Sequence, residues 1–414
     1  MRLLPRCAVL VIFAALGQAI VAAQTPLEFQ FRFTQKPGPY AVGIKVIEQY
    51  DRSRVFKAAS AATGTQTPAE GPRPLQTLVW YPAQASNSKP MTIGDYAALV
   101  QTETSFGKPV AQGKAQSFVE SFTHGTTSLQ TWAIRDATPK SGRYPIVVYA
   151  PSLNATATEN IELCEYLASY GFVVMASPSM GASERVMTID LPGGNAEGRD
   201  ISFLIDDATS LPDTDSAAVA VIGYSWGGMS ALFSAARDKR IDALVSLDGS
   251  FRYAPALVQQ AGDVHPDQMT IPMLFFSRAE ESLETWAAAS QDKGQFCVAS
   301  NVLNEWTHGD LYHLQMLAIS HIQFSSMFQR SERFRKEGLH FVPADYSLEE
   351  GAESYNWIAR YTLEFLDAYL RHDPEAATFL RRTPSENGVP KHLIAASFGP
   401  ASVKAVVSAT PTAK

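Results

Sequence analysis

A serine between glycines, Gly223-Tyr224-Ser225-Trp226-Gly227, with Gly228 directly after it, is where this chain most clearly carries chemistry. A serine hydroxyl is a poor nucleophile at neutral pH, so it needs a base, and the base needs an orienting acid. The apolar run Val219-Ala220-Val221-Ile222 leads in, and the helix-prone Met229-Ser230-Ala231-Leu232 leads away. That context turns a short G-x-S-x-G pattern into a prediction of strand, sharp turn and helix, with Ser225 at the turn. Glycines suit such a turn because strand and helix crowd together there, and a Cβ at either flank would clash. The same turn would aim the Trp226 N–H at the oxygen of a substrate carbonyl.

The acid and base are sought at one edge of the sheet, because functional groups in open α/β sheets collect at the carboxyl ends of strands. Asp248 follows the apolar run Ala243-Leu244-Val245-Ser246-Leu247 directly, whereas Asp242 enters that run at the opposite edge. Glu280 and Glu281, just after Phe275-Phe276, are its rivals, since both locations suit the order serine, acid, histidine. Of the eight histidines, His124 precedes the core sheet, His340, His372 and His392 lie near or beyond a closing helix, and His265 sits in a Pro-containing loop. His308, His313 and His321 remain. A strand over Leu314 to Ile319 would put His321 just past its carboxyl end and His313 at its start, roughly 20 Å apart at about 3.3 Å per residue. Only one can then reach Ser225. His321 is favoured, and His313 takes its place if the strand lies elsewhere.

An oxyanion hole needs two preorganised donors. Trp226 N–H is one, and the other should come from the loop Ala150-Pro151-Ser152-Leu153-Asn154. Pro151 has no N–H, so that donor is Leu153 or Ser152. Pro151, Phe251 and Tyr253 are candidates for the substrate surface, and Trp226, Trp286 and Trp306 could line a pocket or pack in the core. The sequon Asn154-Ala155-Thr156 reads as chance, because a sugar there would block the site.

Positioning these groups calls for alternating strands and helices. Extended segments are predicted over Tyr40 to Glu48 and Leu75 to Pro82, with Ala58 to Pro74 between them as a loop. Residues 83–142 read as a polar insertion carrying one or two helices, such as Ile93 to Thr104. A buried strand over Pro145 to Ala150, a helix from Thr158 to Tyr170 ending at Gly171, and a strand over Phe172 to Ala176 follow. Asp200 to Thr209 reads as a helix before the Val219 strand. Strands over Ala243 to Leu247 and Met273 to Phe276 come after the serine, and a helix from Ser354 to Leu370 closes the domain. Short apolar runs alternating with helices predict a mainly parallel sheet covered on both faces. The tail from Ala395 to Lys414 reads as low-complexity and partly disordered. The expected layout is therefore 1–23 leader, 24–394 a single α/β domain, and 395–414 tail.

Met1 to Ala23 has Arg2 and Arg6, an apolar run from Ala8 to Leu16, and Val21-Ala22-Ala23 before Gln24. That is the pattern of a secretory signal peptide cleaved after Ala23, which places the mature protein outside the cytoplasm. Removing two arginines and no acid would take the formal charge from −7 to −9. Mild acidity without a basic cluster argues against a nucleic-acid partner, and no later run has the apolar length of a membrane helix. Cys164 and Cys297 remain after cleavage. One bridge between them is compatible with export, and neither has metal-site spacing. No cofactor or metal is expected; the sequence is silent on oligomeric state.

Tyr149-Ala150-Pro151-Ser152-Leu153, Gly223-Tyr224-Ser225-Trp226-Gly227-Gly228, Leu247-Asp248-Gly249 and Ser320-His321-Ile322-Gln323-Phe324 together resemble α/β-hydrolases. The likeness is to bacterial relatives of platelet-activating-factor acetylhydrolase and to dienelactone-hydrolase-like esterases. Gly38-Pro39-Tyr40-Ala41-Val42-Gly43 and Trp80-Tyr81-Pro82 are similar to the acetylhydrolase group, and the resemblance covers most of residues 38–380. It implies an α/β-hydrolase fold, a triad of Ser225, Asp248 and His321, and oxyanion N–H groups from Leu153 and Trp226. Pro151-Ser152 stands where such proteins often carry a His-Gly-rich loop. A serine also stands where true dienelactone hydrolases use cysteine, which argues against that particular activity. The expected function is a secreted serine esterase acting on a small-molecule ester. The alternatives are a peptidase or phospholipase A2-like acetylhydrolase on the same fold, or a non-catalytic binding protein on a hydrolase scaffold.

Overall fold

Short runs of buried apolar residues set the frame of the computed structural model, which describes residues 31–57, 70–107, 123, 126–279, 302–342 and 345–401. Ten strands form one sheet: β1 (Ala41–Lys57), β2 (Glu70–Ala83), β3 (Ala133–Arg135), β4 (Tyr144–Ala150), β5 (Val173–Ala176), β6 (Thr214–Tyr224), β7 (Ala243–Leu247), β8 (Met273–Arg278), β9 (Leu311–Met316) and β10 (Ile394–Gly399). Their order is β10-β9-β8-β7-β6-β4-β5-β2-β1-β3. From β5 to β9 every neighbouring pair is parallel. β2 runs antiparallel to β5 and β1, and β10 runs antiparallel to β9. This is the α/β-hydrolase fold.

Period-two alternation along the central strands divides the core between the two faces of the sheet. Val147, Tyr149, Ile222, Val245 and Leu274 pack on one side with α2 (Ile161–Ser169) and α5 (Leu348–Leu370). Ile146, Val148, Val221, Leu244 and Phe275 pack on the other with α3 (Leu191–Ser210) and α4 (Trp226–Arg237). Both faces are thus covered, as purely buried parallel strands require. An arginine pair ties the β1–β2 hairpin to α3: Arg54 and Arg73 both reach Asp200, and all three are buried.

Several boundaries differ from expectation, each for a local reason. α3 begins at Leu191 instead of Asp200, capped by the Asp190 side chain on the Gly193 N–H. Gly193, Gly194 and Gly198 make that first half look non-helical by propensity, yet Gly194 and Gly198 let α3 close on Phe233 of α4. β2 starts at Glu70, so Glu70 to Pro74 are strand and not loop. Residues 83–142 hold the expected helix, α1 (Ile93–Val100), but also contribute β3 to the sheet. Tyr96 of α1 anchors that segment by accepting from Trp80 Nε1 and donating to Glu165. β9 is Leu311–Met316, shifted toward the N-terminus because Tyr312, Leu314 and Met316 alternate inward. The first residues of the tail expected from Ala395 are strand instead: Ile394–Gly399 pair along the outer edge of β9, and Phe398 stacks on Tyr312 at 4.5 Å. Residues 1–30, where the leader is expected, and residues 402–414 lie outside the described residues.

Candidate active site

β6 ends at Tyr224 and α4 begins at Trp226, so Ser225 alone makes the turn, at φ 54° and ψ −117°. Left-handed backbone at a non-glycine residue is strained, and neighbouring contacts must hold it. Here the Ser225 N–H donates to Leu247 O at 3.0 Å, and the Ser250 N–H donates to Ser225 O at 2.8 Å. Both bonds tie the turn to the end of β7. A Cβ on Gly227 would lie 2.2 Å from Ala150 O and 2.4 Å from Pro151 O. Glycine there seats the start of α4 directly on the loop after β4, which brings that loop beside Ser225.

His321 lies past the end of β9, in a short turn of 3-10 helix over His321–Phe324. Its Nε2 is 2.8 Å from Ser225 Oγ, and its Nδ1 is 2.5 Å from Asp248 Oδ2. Its side chain is 23% exposed, so the imidazole stays reachable from solvent. Tyr224, the residue before Ser225, donates its hydroxyl to His321 O at 2.8 Å. The strand that presents Ser225 therefore also holds the backbone of its histidine partner.

Asp248 follows β7 and is fully buried. It accepts from Tyr253 Oη at 2.6 Å on Oδ1 and from Arg278 Nη1 at 3.0 Å on Oδ2, while the Arg278 N–H reaches Oδ1 at 3.3 Å. The Arg278 guanidinium also lies 4.5 Å from the Tyr253 ring centre. Burial alone would raise the acid. The Arg278 charge and the bonds to His321 and Tyr253 outweigh it and hold Asp248 well below the usual carboxylate range. A hydroxyl, an imidazole and an ionised carboxylate in this line can withdraw a proton from the serine as it attacks a carbonyl.

The other candidate residues separate cleanly. His313 lies inside β9, where Nε2 meets Ser277 Oγ at 2.8 Å, and burial pushes it down to about 4. His308 meets its neighbour Thr307. Glu280, Glu281, Trp286, His124 and Cys297 lie outside the described residues, while Cys164 is buried. Ser152 is not the second oxyanion donor: its N–H goes to Glu159 Oε2 at 2.8 Å and its hydroxyl to Glu159 Oε1 at 2.5 Å. The Leu153 and Trp226 N–H groups have no hydrogen-bond partner among the described residues. Phe251 does not line a pocket, since it is fully buried against Phe275 at 5.3 Å. Tyr253 is buried and donates its hydroxyl to Asp248. Pro151 is buried in the loop over Gly227. The indoles of Trp226 and Trp306 pack in the core.

Sequence reasoning missed Arg278, Tyr224 and Glu159. Arg278 stands at the carboxyl end of β8, so the strand-end rule could have found it. Nothing in the sequence marks Tyr224 or Glu159 apart from other core residues. No group of His, Cys, Asp and Glu able to hold a metal occurs among the described residues, and no described helix is long and apolar enough to cross a membrane.

Residues 133–280 match the dienelactone hydrolase family. Among solved structures, the chain is similar to a ferulic acid esterase from Streptomyces cinnamoneus. The identity is 20% and the TM-score 0.57, over 88% of this chain and 98% of that one. No curated protein matches the chain. Solved chains that match number 714, so the fold by itself does not select a substrate.

Proposed function

We propose that this α/β-hydrolase is an exported serine esterase that works through an acyl-enzyme on Ser225. The observation that carries the reading is the continuous line from Ser225 Oγ to His321 Nε2 at 2.8 Å and from His321 Nδ1 to Asp248 Oδ2 at 2.5 Å. Ser225 Oγ attacks the ester carbonyl while His321 takes its proton. The Leu153 and Trp226 N–H groups receive the negative charge that forms on the carbonyl oxygen. Collapse expels the alcohol, which leaves with the proton from His321. Water, activated by the same imidazole, then releases the acid and restores the serine. Asp248 stays ionised throughout and steadies the imidazolium.

Export is supported by the charged, apolar and small-residue succession of Met1 to Ala23. An ester is the better match than a peptide, because an alkoxide or phenolate leaves without the strong protonation an amine requires. The expected substrates are small and moderately apolar esters. The similar ferulic acid esterase makes aromatic acyl groups a rational arm of the test. The test compares kcat/KM of the mature protein on p-nitrophenyl acetate, butyrate and octanoate, a ferulate ester, and aminoacyl and peptidyl anilides. An anilide turned over as well as the best ester would replace the esterase reading with a peptidase one. No turnover and no fluorophosphonate labelling would leave a binding protein.

A further inference from the structure

We infer that Glu159 is a positioning residue that couples the oxyanion loop to the loop of the catalytic histidine, and so sets where the Leu153 N–H stands relative to Ser225 and His321. The inference rests on the esterase reading. Its starting point is a fully buried carboxylate that no step of the mechanism uses.

The side chain of Glu159 acts on the loop after β4. It accepts the Ser152 N–H at 2.8 Å and the Ser152 hydroxyl at 2.5 Å, and Tyr149 Oη also donates to it at 3.0 Å. Pro151 offers no N–H, and that of Ser152 is engaged, so Leu153 carries the first free donor of the loop. Asn154 follows in the left-handed region at φ 61°, and its Oδ1 accepts the Met187 N–H at 2.6 Å. The Leu153 peptide is therefore pinned on both sides, by Glu159 before it and by Asn154 after it.

The backbone of Glu159 acts on the chain after His321. Its carbonyl accepts the Met327 N–H at 3.1 Å and the Ser325 hydroxyl at 3.0 Å. Asn160 extends the junction: Oδ1 accepts the Ser326 N–H at 2.7 Å, and Nδ2 donates to Phe324 O at 3.2 Å and to Tyr149 Oη at 2.7 Å. Phe324 ends the turn that presents His321, and Ser325 to Met327 directly follow it. One dipeptide ahead of α2 thus grips both the donor loop and the base loop, which are otherwise distant in the chain. Transition-state stabilisation depends on a donor being in place before charge develops, and an error near 1 Å is costly.

A core polar network with no bearing on chemistry would make a different prediction, so the experiment separates the two. Wild-type turnover and Ser225 labelling are measured first; if neither occurs, the esterase reading itself has failed. Given an active wild type, Glu159→Ala should lower kcat by about 10- to 100-fold per labelled site with KM unchanged within about twofold. Glu159→Gln, whose amide can still accept from the Ser152 N–H and donate to its hydroxyl, should recover most of that loss. Ser152→Ala should lose part of it, and adding Ser152→Ala to Glu159→Ala should cost little more. A Glu159→Ala enzyme with wild-type kcat per labelled site, or with its whole defect in KM, would overturn the inference. If Glu159→Ala does not fold, Ser152→Ala with unchanged kcat overturns it instead.

Discussion

Tyr253→Phe removes a single oxygen and asks what Asp248 depends on. That hydroxyl donates to Oδ1 at 2.6 Å, and the other donor to the same oxygen, the Arg278 N–H, is 3.3 Å away. Oδ2 keeps His321 Nδ1 and the Arg278 guanidinium. The variant therefore leaves one carboxylate oxygen nearly unsatisfied in a fully buried place. A hydrogen bond to a charged group contributes about 1.5–3 kcal/mol, and burial favours the upper half of that range. Part of the loss falls on the folded state and part on the transition state, where the imidazolium leans on a correctly placed carboxylate. If about 1.4 kcal/mol reaches the transition state, kcat falls about tenfold. KM should hold, because Tyr253 faces Asp248 and Arg278. Steady-state kinetics on p-nitrophenyl butyrate, normalised to fluorophosphonate-labelled sites, reads both values. Acid unfolding supplies a second measurement. The folded state depresses Asp248, so its stabilising effect is present above the ordinary carboxylate range and is lost as pH falls toward the folded value. Losing a donor raises that folded value, so Tyr253→Phe should unfold at a higher pH than wild type. A rise in KM with kcat unchanged would refute the reasoning and return Tyr253 to the substrate surface.

Ser225→Ala should fold normally, lose ester hydrolysis and escape fluorophosphonate, and His321→Ala should lower kcat by several orders of magnitude while His308→Ala and His313→Ala cost far less; peptide mapping and kinetics check both. Gly227→Ala places a methyl against Ala150 O and Pro151 O, so it should destabilise by at least about 1–3 kcal/mol and depress kcat as the donor loop is pushed off Ser225; wild-type melting and turnover together would contradict this. Glu197, buried and raised to about 8, keeps a proton in the folded state that the unfolded chain gives up, so it weakens the fold as pH climbs from about 4.5 to 8. Glu197→Gln should therefore gain thermal stability over wild type between pH 5 and pH 9, and a constant difference in melting temperature would rule that out.

Ser225, Asp248 and His321 were legible because each stands where an apolar run stops, and the carboxyl edge of a parallel sheet is where such stops collect. The strand over Ala243–Leu247 matched its prediction to the residue, since five apolar-side positions are bounded by Asp242 and Asp248. His321 was reached even though β9 lies three residues earlier than expected, because either placement leaves it beyond the strand. What stayed hidden depends on contacts between distant segments. Glycines in the first half of α3 obey helix–helix packing and not propensity. β10 pairs with an edge whose existence no local pattern reveals. Phe251 and Tyr253 follow Asp248 closely and looked like pocket residues, but the turn after β7 sends one into the core and the other back to the acid. Choosing between Ser152 and Leu153 required knowing that Glu159, seven residues on, claims the Ser152 N–H.

Burial does not by itself decide which carboxylate serves as the acid. Asp248, Glu159 and Glu197 are all buried, and desolvation is the largest influence on each. Burial raises Glu159 to about 7 and Glu197 to about 8. Glu159 accepts from Ser152 and Tyr149, and Glu197 from Ser230, all neutral donors. Asp248 moves the opposite way because Arg278, from the end of the next strand, places a full positive charge at 3.0 Å. The difference lies in the sheet order. β8 is the neighbour of β7, so its last residue falls beside the residue that follows β7, and an arginine there stabilises the charged form. Glu159 stands just ahead of α2 and Glu197 on α3, each held by neutral donors instead of a cation. Asp248 remains a permanent counter-charge for His321 near neutral pH. Glu159, raised to about 7 by burial, takes up its proton as the solution turns acidic, and in that form its carbonyl oxygen can still accept the Ser152 N–H.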